Sequence, residues 1–359
     1  MSSTDMSSTD LPSVAQPDAL TATMREAGVL ASGAVSDVTV ISDRPMLISR
    51  IIRLGVSYSG AAPDAPETLI LKTPMPAFAK TLWRGGRHEV DFYRGLARLM
   101  PKGLVPGCYG GAWDEAALTW HLLLEDLTDT HQTATPWPVP PALPHAEGIV
   151  RALARLQAAW WDDPRLGVSI GSFTTADERA ERSRIFAGRY ERFADDMGDR
   201  LSADRRAVYE RLMAATPRLA ERYVSRRNLS ILHGDAHVWN FLVPKVAGHD
   251  DVRAFDFDQW RVGVPANDLA YMLALQLYPD RRAQIERPLL DIYHQTLVAA
   301  GVAGYDRAAL EEDYRLAVLL HVAQPVSHWA IQLPPVIWWN NLERIFLAFD
   351  DLGCRALLD

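Results

Sequence analysis

The chain has almost no cysteine. Cys108 and Cys354 are the two among 359 residues, with no C-x-x-C or mixed Cys/His spacing. That leaves neither a disulfide framework nor a structural zinc site, and it suits a reducing, cytoplasmic setting. An excess of basic charge is also missing, since 37 Lys and Arg face 45 Asp and Glu for a formal charge of −8. A nucleic-acid partner needs clustered Lys and Arg and is excluded. The Arg179 to Arg192 run is interleaved with acids and reads as a solvated helix face. No uninterrupted apolar run is long enough to span a membrane. Leu316 to Leu342 carries no Asp, Glu, Lys or Arg but is broken by Pro325, Pro334 and Pro335, so burial in protein is expected. The opening Met-Ser-Ser-Thr-Asp repeat has no basic or apolar region of a secretory signal, and residues 1–17 read as a disordered tail.

What is present is material for a large core: 48% hydrophobic and 23% charged residues over a length that favours two lobes. The pattern predicts an α+β chain with a small, mainly antiparallel β N-lobe over 18–124, a hinge and linker over 125–144, and a larger helical C-lobe over 145–359. Leu47 to Tyr58 and Thr68 to Thr73 read as strands, and Ala77 to Met100 as one or two helices. The prolines between Pro136 and Pro144 mark a loop. Helices are expected from His145 to about Asp162, then over Ala176–Ala194, Ala203–Tyr223, Asn267–Leu277, Arg281–Ala300, Arg307–Gln324 and Ile337–Leu352.

The chemistry concentrates in Leu232-His233-Gly234-Asp235-Ala236-His237-Val238-Trp239-Asn240 and, after a turn at Gly248 to Asp251, in Ala254-Phe255-Asp256-Phe257-Asp258. An Asp, an Asn five residues on and a second Asp closing a short strand are the oxygen-bearing set that phosphoryl transfer uses. One carboxylate orients the accepting hydroxyl, and the other two groups hold Mg²⁺ against the triphosphate. His237 reads as a loop histidine, and Asp258 as peripheral to the metal.

These residues resemble the aminoglycoside phosphotransferase and choline kinase-like group, within the protein-kinase-like fold. The resemblance extends over Glu67-Thr68-Leu69-Ile70-Leu71-Lys72-Thr73-Pro74 and Arg87-His88-Glu89-Val90-Asp91-Phe92-Tyr93. It continues through Trp120-His121-Leu122-Leu123-Leu124-Glu125-Asp126-Leu127 and Gly263-Val264-Pro265-Ala266-Asn267-Asp268-Leu269-Ala270. The L-K-T-P and L-L-E-D-L strings look nearest to its ecdysteroid kinase-like and related bacterial branches. The resemblance covers roughly residues 35 to 280 and implies a small-molecule kinase. Asp235 would be its base, and Asn240 and Asp256 its metal ligands. Lys72, held by Glu89, would contact the α- and β-phosphates. Glu125, Asp126 and Leu127 would lie at the adenine-binding hinge, and His233 and Asp268 would brace the catalytic loop. The implied cofactors are ATP, with GTP as the alternative, and Mg²⁺. Here the family places small residues in a phosphate-covering turn between its first two strands. This chain has no glycine there, so either Ser42 and the neighbouring amides cover the phosphates less closely, or nucleotide affinity is modest.

The acceptor is expected to be a small hydroxylated molecule, and the uncharged stretch reads either as plain core helix packing or as part of its pocket, with His321, Gln324 and His328 fixing hydroxyls and Trp329, Trp338 and Trp339 forming an apolar wall. Polycationic drugs are held by clustered carboxylates in the members that use them, so this wall suits a neutral or weakly charged molecule with apolar bulk. Two alternatives stand beside that reading: an antibiotic phosphotransferase conferring resistance, and a nucleotide-binding module without catalysis. The chain is expected to be a monomer or homodimer.

Overall fold

The computed structural model describes residues 11–46, 49–75, 79–246 and 250–359. Residues 1–10 of the expected tail, the start of the second strand at Leu47, the start of the next helix at Ala77, and Gly248 of the predicted turn lie outside the described residues. In chain order the first elements are α1 (Pro17–Glu26), β1 (Ala34–Pro45), β2 (Ser49–Ser59), β3 (Thr68–Pro74) and α2 (Ala79–Arg94). Next come β4 (Cys108–Asp114), β5 (Thr119–Glu125), β6 (His131–Thr133), α3 (Leu143–Ala158), α4 (Ala176–Met197), α5 (Ala203–Leu219) and α6 (Glu221–Val224). Short strands β7 (Ser230–Leu232), β8 (Phe241–Pro244), β9 (Arg253–Ala254) and β10 (Arg261–Gly263) follow. The chain closes with α7 (Ala266–Leu273), α8 (Pro279–Ala299), α9 (Arg307–His321), α10 (Gln324–Ala330) and α11 (Pro335–Asp351).

The contacts divide the chain into two units, one running to Gln132 and taking up Leu242–Gln259, the other holding Thr133–Phe241 and everything from Trp260 onward. In the first unit an antiparallel five-stranded sheet runs in the order β1-β2-β3-β5-β4. Alternation along β3 sends Leu69 and Leu71 into the core. Residues 11–17 correct the expected tail. Leu11 and Ala15 are buried, and with Leu20 and Met24 of α1 they pack on Leu54, Leu69, Leu71 and Leu123 of the sheet. The reason is local: Pro17 starts α1 at a position where a missing N–H costs nothing, and Gln16 Nε2 donates to the Leu11 carbonyl at 3.2 Å.

The second unit is helical around the small antiparallel pair β7–β10, with Ser230 opposite Gly263 and Leu232 opposite Arg261. On α3, Ile149, Leu153 and Leu156 are buried at helical spacing, and this helix packs against α8 and β7. A capping box between Thr175 and Glu178 starts α4. The helix expected over Arg307–Gln324 stops at His321, because Pro325 fits the first turn of a new helix, α10, but not the interior of α9. Pro335 opens α11 in the same way. No helix among the described residues is long and apolar enough to cross a membrane.

Candidate active site

In the first unit, β3 presents Lys72 and α2 presents Glu89. Lys72 Nζ lies 2.6 and 2.9 Å from the two Glu89 carboxylate oxygens and 2.6 Å from Asp256 Oδ1. Lys72 is 7% exposed and Glu89 1%, so both charges need their partners. Burial alone would lower the Lys72 pKa, but Asp256 and Glu89 more than reverse this and raise it above the ordinary value. Burial raises Glu89, opposed by Lys72 and reinforced by the Asp256 charge. Asp256 follows β9 with φ of +69°, a left-handed conformation that a non-glycine residue adopts only when its surroundings impose it. Its neighbour supplies part of that constraint. The Phe257 ring stacks on Phe92 of α2 at 3.8 Å and 9°, on the helix that carries Glu89. Gly85 and Gly86 of α2 serve the same site. A Cβ on Gly86 would sit 2.0 Å from the Trp120 ring, and one on Gly85 would sit 3.2 Å from Asp258 Oδ2. Sequence reasoning passed over Phe92, Phe257 and this glycine pair, although paired glycines inside a helix are a signal of close approach.

In the second unit, the loop after β7 carries Asp235. Gly234 takes φ of +86°. The Asp268 carboxylate, near the start of α7, accepts from the His233 N–H at 2.8 Å, the Gly234 N–H at 3.0 Å and Gln157 Nε2 at 2.9 Å. Asp268 is 1% exposed, and burial raises its pKa. Gln157, absent from the sequence reading, also takes the Ser230 hydroxyl on its carbonyl and the Tyr293 hydroxyl on its side chain, tying α3 and α8 to β7. His233 is fully buried, with its Nδ1 3.4 Å from the Asp235 N–H. Asn240 Nδ2 donates to the Asp235 carbonyl at 2.9 Å and lies 3.3 Å from Asp235 Oδ2. Those two bonds fix the orientation of the amide. His237 Nε2 lies 3.5 Å from Asp235 Oδ2, and its Nδ1 is buried with no partner among the described residues.

With the geometry in place, comparison with known proteins is decisive at the family level. The model of the ecdysteroid kinase-like family matches residues 46–301. The chain belongs to the ecdysteroid kinase-like family. It is therefore a phosphotransferase of the small-molecule kinase class with an alcohol group as acceptor. The fold of this ecdysteroid kinase-like protein is the kinase-like one. It is similar to a candidate aminoglycoside phosphotransferase from Ralstonia eutropha JMP134, at 13% identity and a TM-score of 0.56, covering 94% of this chain and 97% of that one. It is also similar to a microcompartment-associated aminopropanol kinase, at 16% identity and a TM-score of 0.52, covering 93% and 95%. A third similar structure is the GDP and kanamycin complex of APH(2″)-IIIa, at 12% identity and a TM-score of 0.53, covering 89% and 94%. No curated protein matches the sequence.

Ser42 of the ecdysteroid kinase-like chain is a correction. It lies within β1, paired with Arg53, and not in the turn joining β1 to β2. The strand continues to Pro45 because Asp43 and Arg50 form an ion pair across the two strands. At the end of β5, Glu125 Oε2 accepts from the Gly107 N–H at 2.9 Å. The buried Asp126 carboxylate pairs with Arg53 and accepts from the Thr128 N–H. The Leu127 carbonyl takes the Thr130 and His131 N–H groups. These carboxylates serve the protein. Of the acceptor candidates, His321 Nε2 is bound to the Asn267 carbonyl at 3.0 Å, and His328 is held between Gln324 at 3.0 Å and Asn341 at 3.4 Å. Trp338 and Trp339 instead line a cavity.

Proposed function

We propose that this enzyme transfers the γ-phosphoryl group of ATP, with Mg²⁺, to a hydroxyl of a neutral or weakly charged small molecule with apolar bulk. The observation that carries the reading is the buried Lys72 bonded to both Glu89 and Asp256. Residues 17 and 184 positions apart converge on one cation, an arrangement with no gain for folding that an apolar trio would not match. A cation held in that way is poised for phosphate oxygens.

The residues fit Mg²⁺. Among the described residues no cluster of three or more His, Cys, Asp or Glu side chains forms a cage, and Mg²⁺ needs none, because it takes one or two protein oxygens and completes its shell with water and phosphate. Asn240 would contribute its amide oxygen, and Asp256, 31% exposed at its side chain, would contribute carboxylate oxygen. When bound, the ion would neutralise charge developing on the phosphates. Lys72, held by Glu89, binds the α- and β-phosphates. Asp235 aligns the acceptor hydroxyl and takes its proton as the oxygen attacks phosphorus. Asn240 holds the Asp235 backbone and carboxylate for that task. The nucleotide specificity rests on backbone groups near Glu125 to Leu127. A similar protein solved with GDP marks GTP as the competitor to test.

The experiment is incubation with Mg·ATP and a broad set of hydroxylated metabolites and antibiotics, read by mass spectrometry, with Asp235→Asn as control. A phosphorylated product that disappears in the variant supports the mechanism. Full activity in Asp235→Asn refutes it.

A further inference from the structure

At the C-terminal end of α4, facing the turn between α10 and α11, the second unit opens a cavity of 580 Å³. That is within the usual range for small-molecule sites. Its wall is aromatic and braced from behind. Fully buried Phe193 meets the Trp329 ring edge-on at 5.5 Å and Trp338 at 6.0 Å, and Trp338 crosses Trp339 at 5.9 Å and 78°. Rings interlocked in this way present fixed flat surfaces. The charged groups at the cavity are already engaged. Asp196 accepts from Trp329 Nε1 at 3.0 Å, and Arg200 donates to the carbonyls of Met197 and Asp196. One acid and one base leave the lining without net charge.

Gln332 is the anomaly. It sits just past α10 with φ of +62°, its N–H on the Trp329 carbonyl while the Leu333 N–H reaches the His328 carbonyl. Helices that close like this ordinarily place glycine there, because a Cβ is strained in that left-handed conformation. Here the strained residue carries a long amide, and it lines the cavity. A purely structural turn would be better served by glycine. His328, which precedes Trp329 on α10, is lowered by burial, with the Asp235 charge acting in the opposite direction.

We propose that this cavity seats the apolar body of the alcohol acceptor, a flat uncharged ring system, and that Gln332 selects it by hydrogen bonding a polar group on that body. The assignment rests on the phosphotransferase reading above.

Two probes test it on the full chain by calorimetric titration. One is naphthalene with a hydroxyethyl arm on one ring and a hydroxyl on the other, and the second is the same compound without the ring hydroxyl. The wild type and Asp235→Asn should bind both, favouring the first by about tenfold. Trp339→Ala should weaken both at least about tenfold. Gln332→Gly should fold as well as or better than the wild type by thermal unfolding, bind the simpler probe unchanged and lose the preference. Absence of binding to the wild type, or binding and preference untouched by both cavity variants, overturns the proposal. Conversion of Mg·ATP to ADP, compared between wild type and Asp235→Asn, tests the chemistry separately. If it depends on Asp235 while the probes fail, only the cavity assignment falls. If it does not depend on Asp235 while the probes bind, the kinase mechanism falls and takes the cavity's role as acceptor site with it.

Discussion

Acid should destabilise the second unit through two histidines. His321 and His328 are 8% and 7% exposed, and burial lowers both from 6.5 to about 4. Each also faces charge: His321 is opposed by Arg261 and His328, whereas His328 is favoured by Asp235. The folded pKa lies below the unfolded one, so each imidazole contributes stability that is complete above pH 6.5 and is lost as pH falls toward 4. By pH 5 the loss is about 2 kcal/mol for each, and well below pH 4 it approaches about 3 kcal/mol. Against a typical total of about 5–15 kcal/mol, the pair would account for a large share of acid sensitivity. Urea unfolding followed by tryptophan fluorescence between pH 4.5 and 7.5 measures it, on wild type, His321→Gln, His328→Gln and the double variant. Each single substitution should flatten the pH slope, and the double variant should remove most of it. A double variant as pH-sensitive as the wild type would refute the argument, whatever its absolute stability.

Lys72→Met leaves Glu89 and Asp256 facing each other, and should abolish turnover and cost about 3–5 kcal/mol by thermal or urea unfolding. Asp256→Ala should lose Mg²⁺-dependent nucleotide binding in a calorimetric titration, whereas Asp235→Asn should bind nucleotide and lose most turnover. Asp268→Ala strips the acceptor from the His233 and Gly234 N–H groups and from Gln157, and at about 1–3 kcal/mol for each orphaned group it should sharply reduce folded yield. Thr175→Ala removes the cap of α4 and should cost only about 1 kcal/mol with activity unchanged, a control for nonspecific destabilisation.

The sequence was most legible where chemistry demands particular side chains at fixed spacing. The H-G-D-x-x-x-x-N loop and the L-K-T-P strand are such places, since few structural roles produce those strings. Period-two alternation marked β3, and helical spacing marked α3. What escaped was contact made by the fold. Phe257 stacking on Phe92, Gly86 making room for Trp120 and Gln157 bridging three elements each join residues far apart in the chain, and none has a local pattern. Ser42 was misplaced because a strand can continue through polar residues when an ion pair such as Asp43–Arg50 closes across it. Residues 11–17 were misread because a short polar segment hides its few apolar side chains from any periodicity, while Leu11 and Ala15 find a core supplied by the sheet.

The first unit is discontinuous in sequence, and that has a consequence for synthesis. Lys72 meets Asp256 only after 184 further residues have been made. At roughly 5–20 residues per second this is an interval on the order of ten to forty seconds. Throughout that time the nascent sheet has Glu89 as its lysine's acidic partner and lacks the Phe257 ring that will stack on Phe92. Chaperone engagement or ribosome pausing during that interval would therefore act on an unfinished first unit, not on a domain awaiting its neighbour.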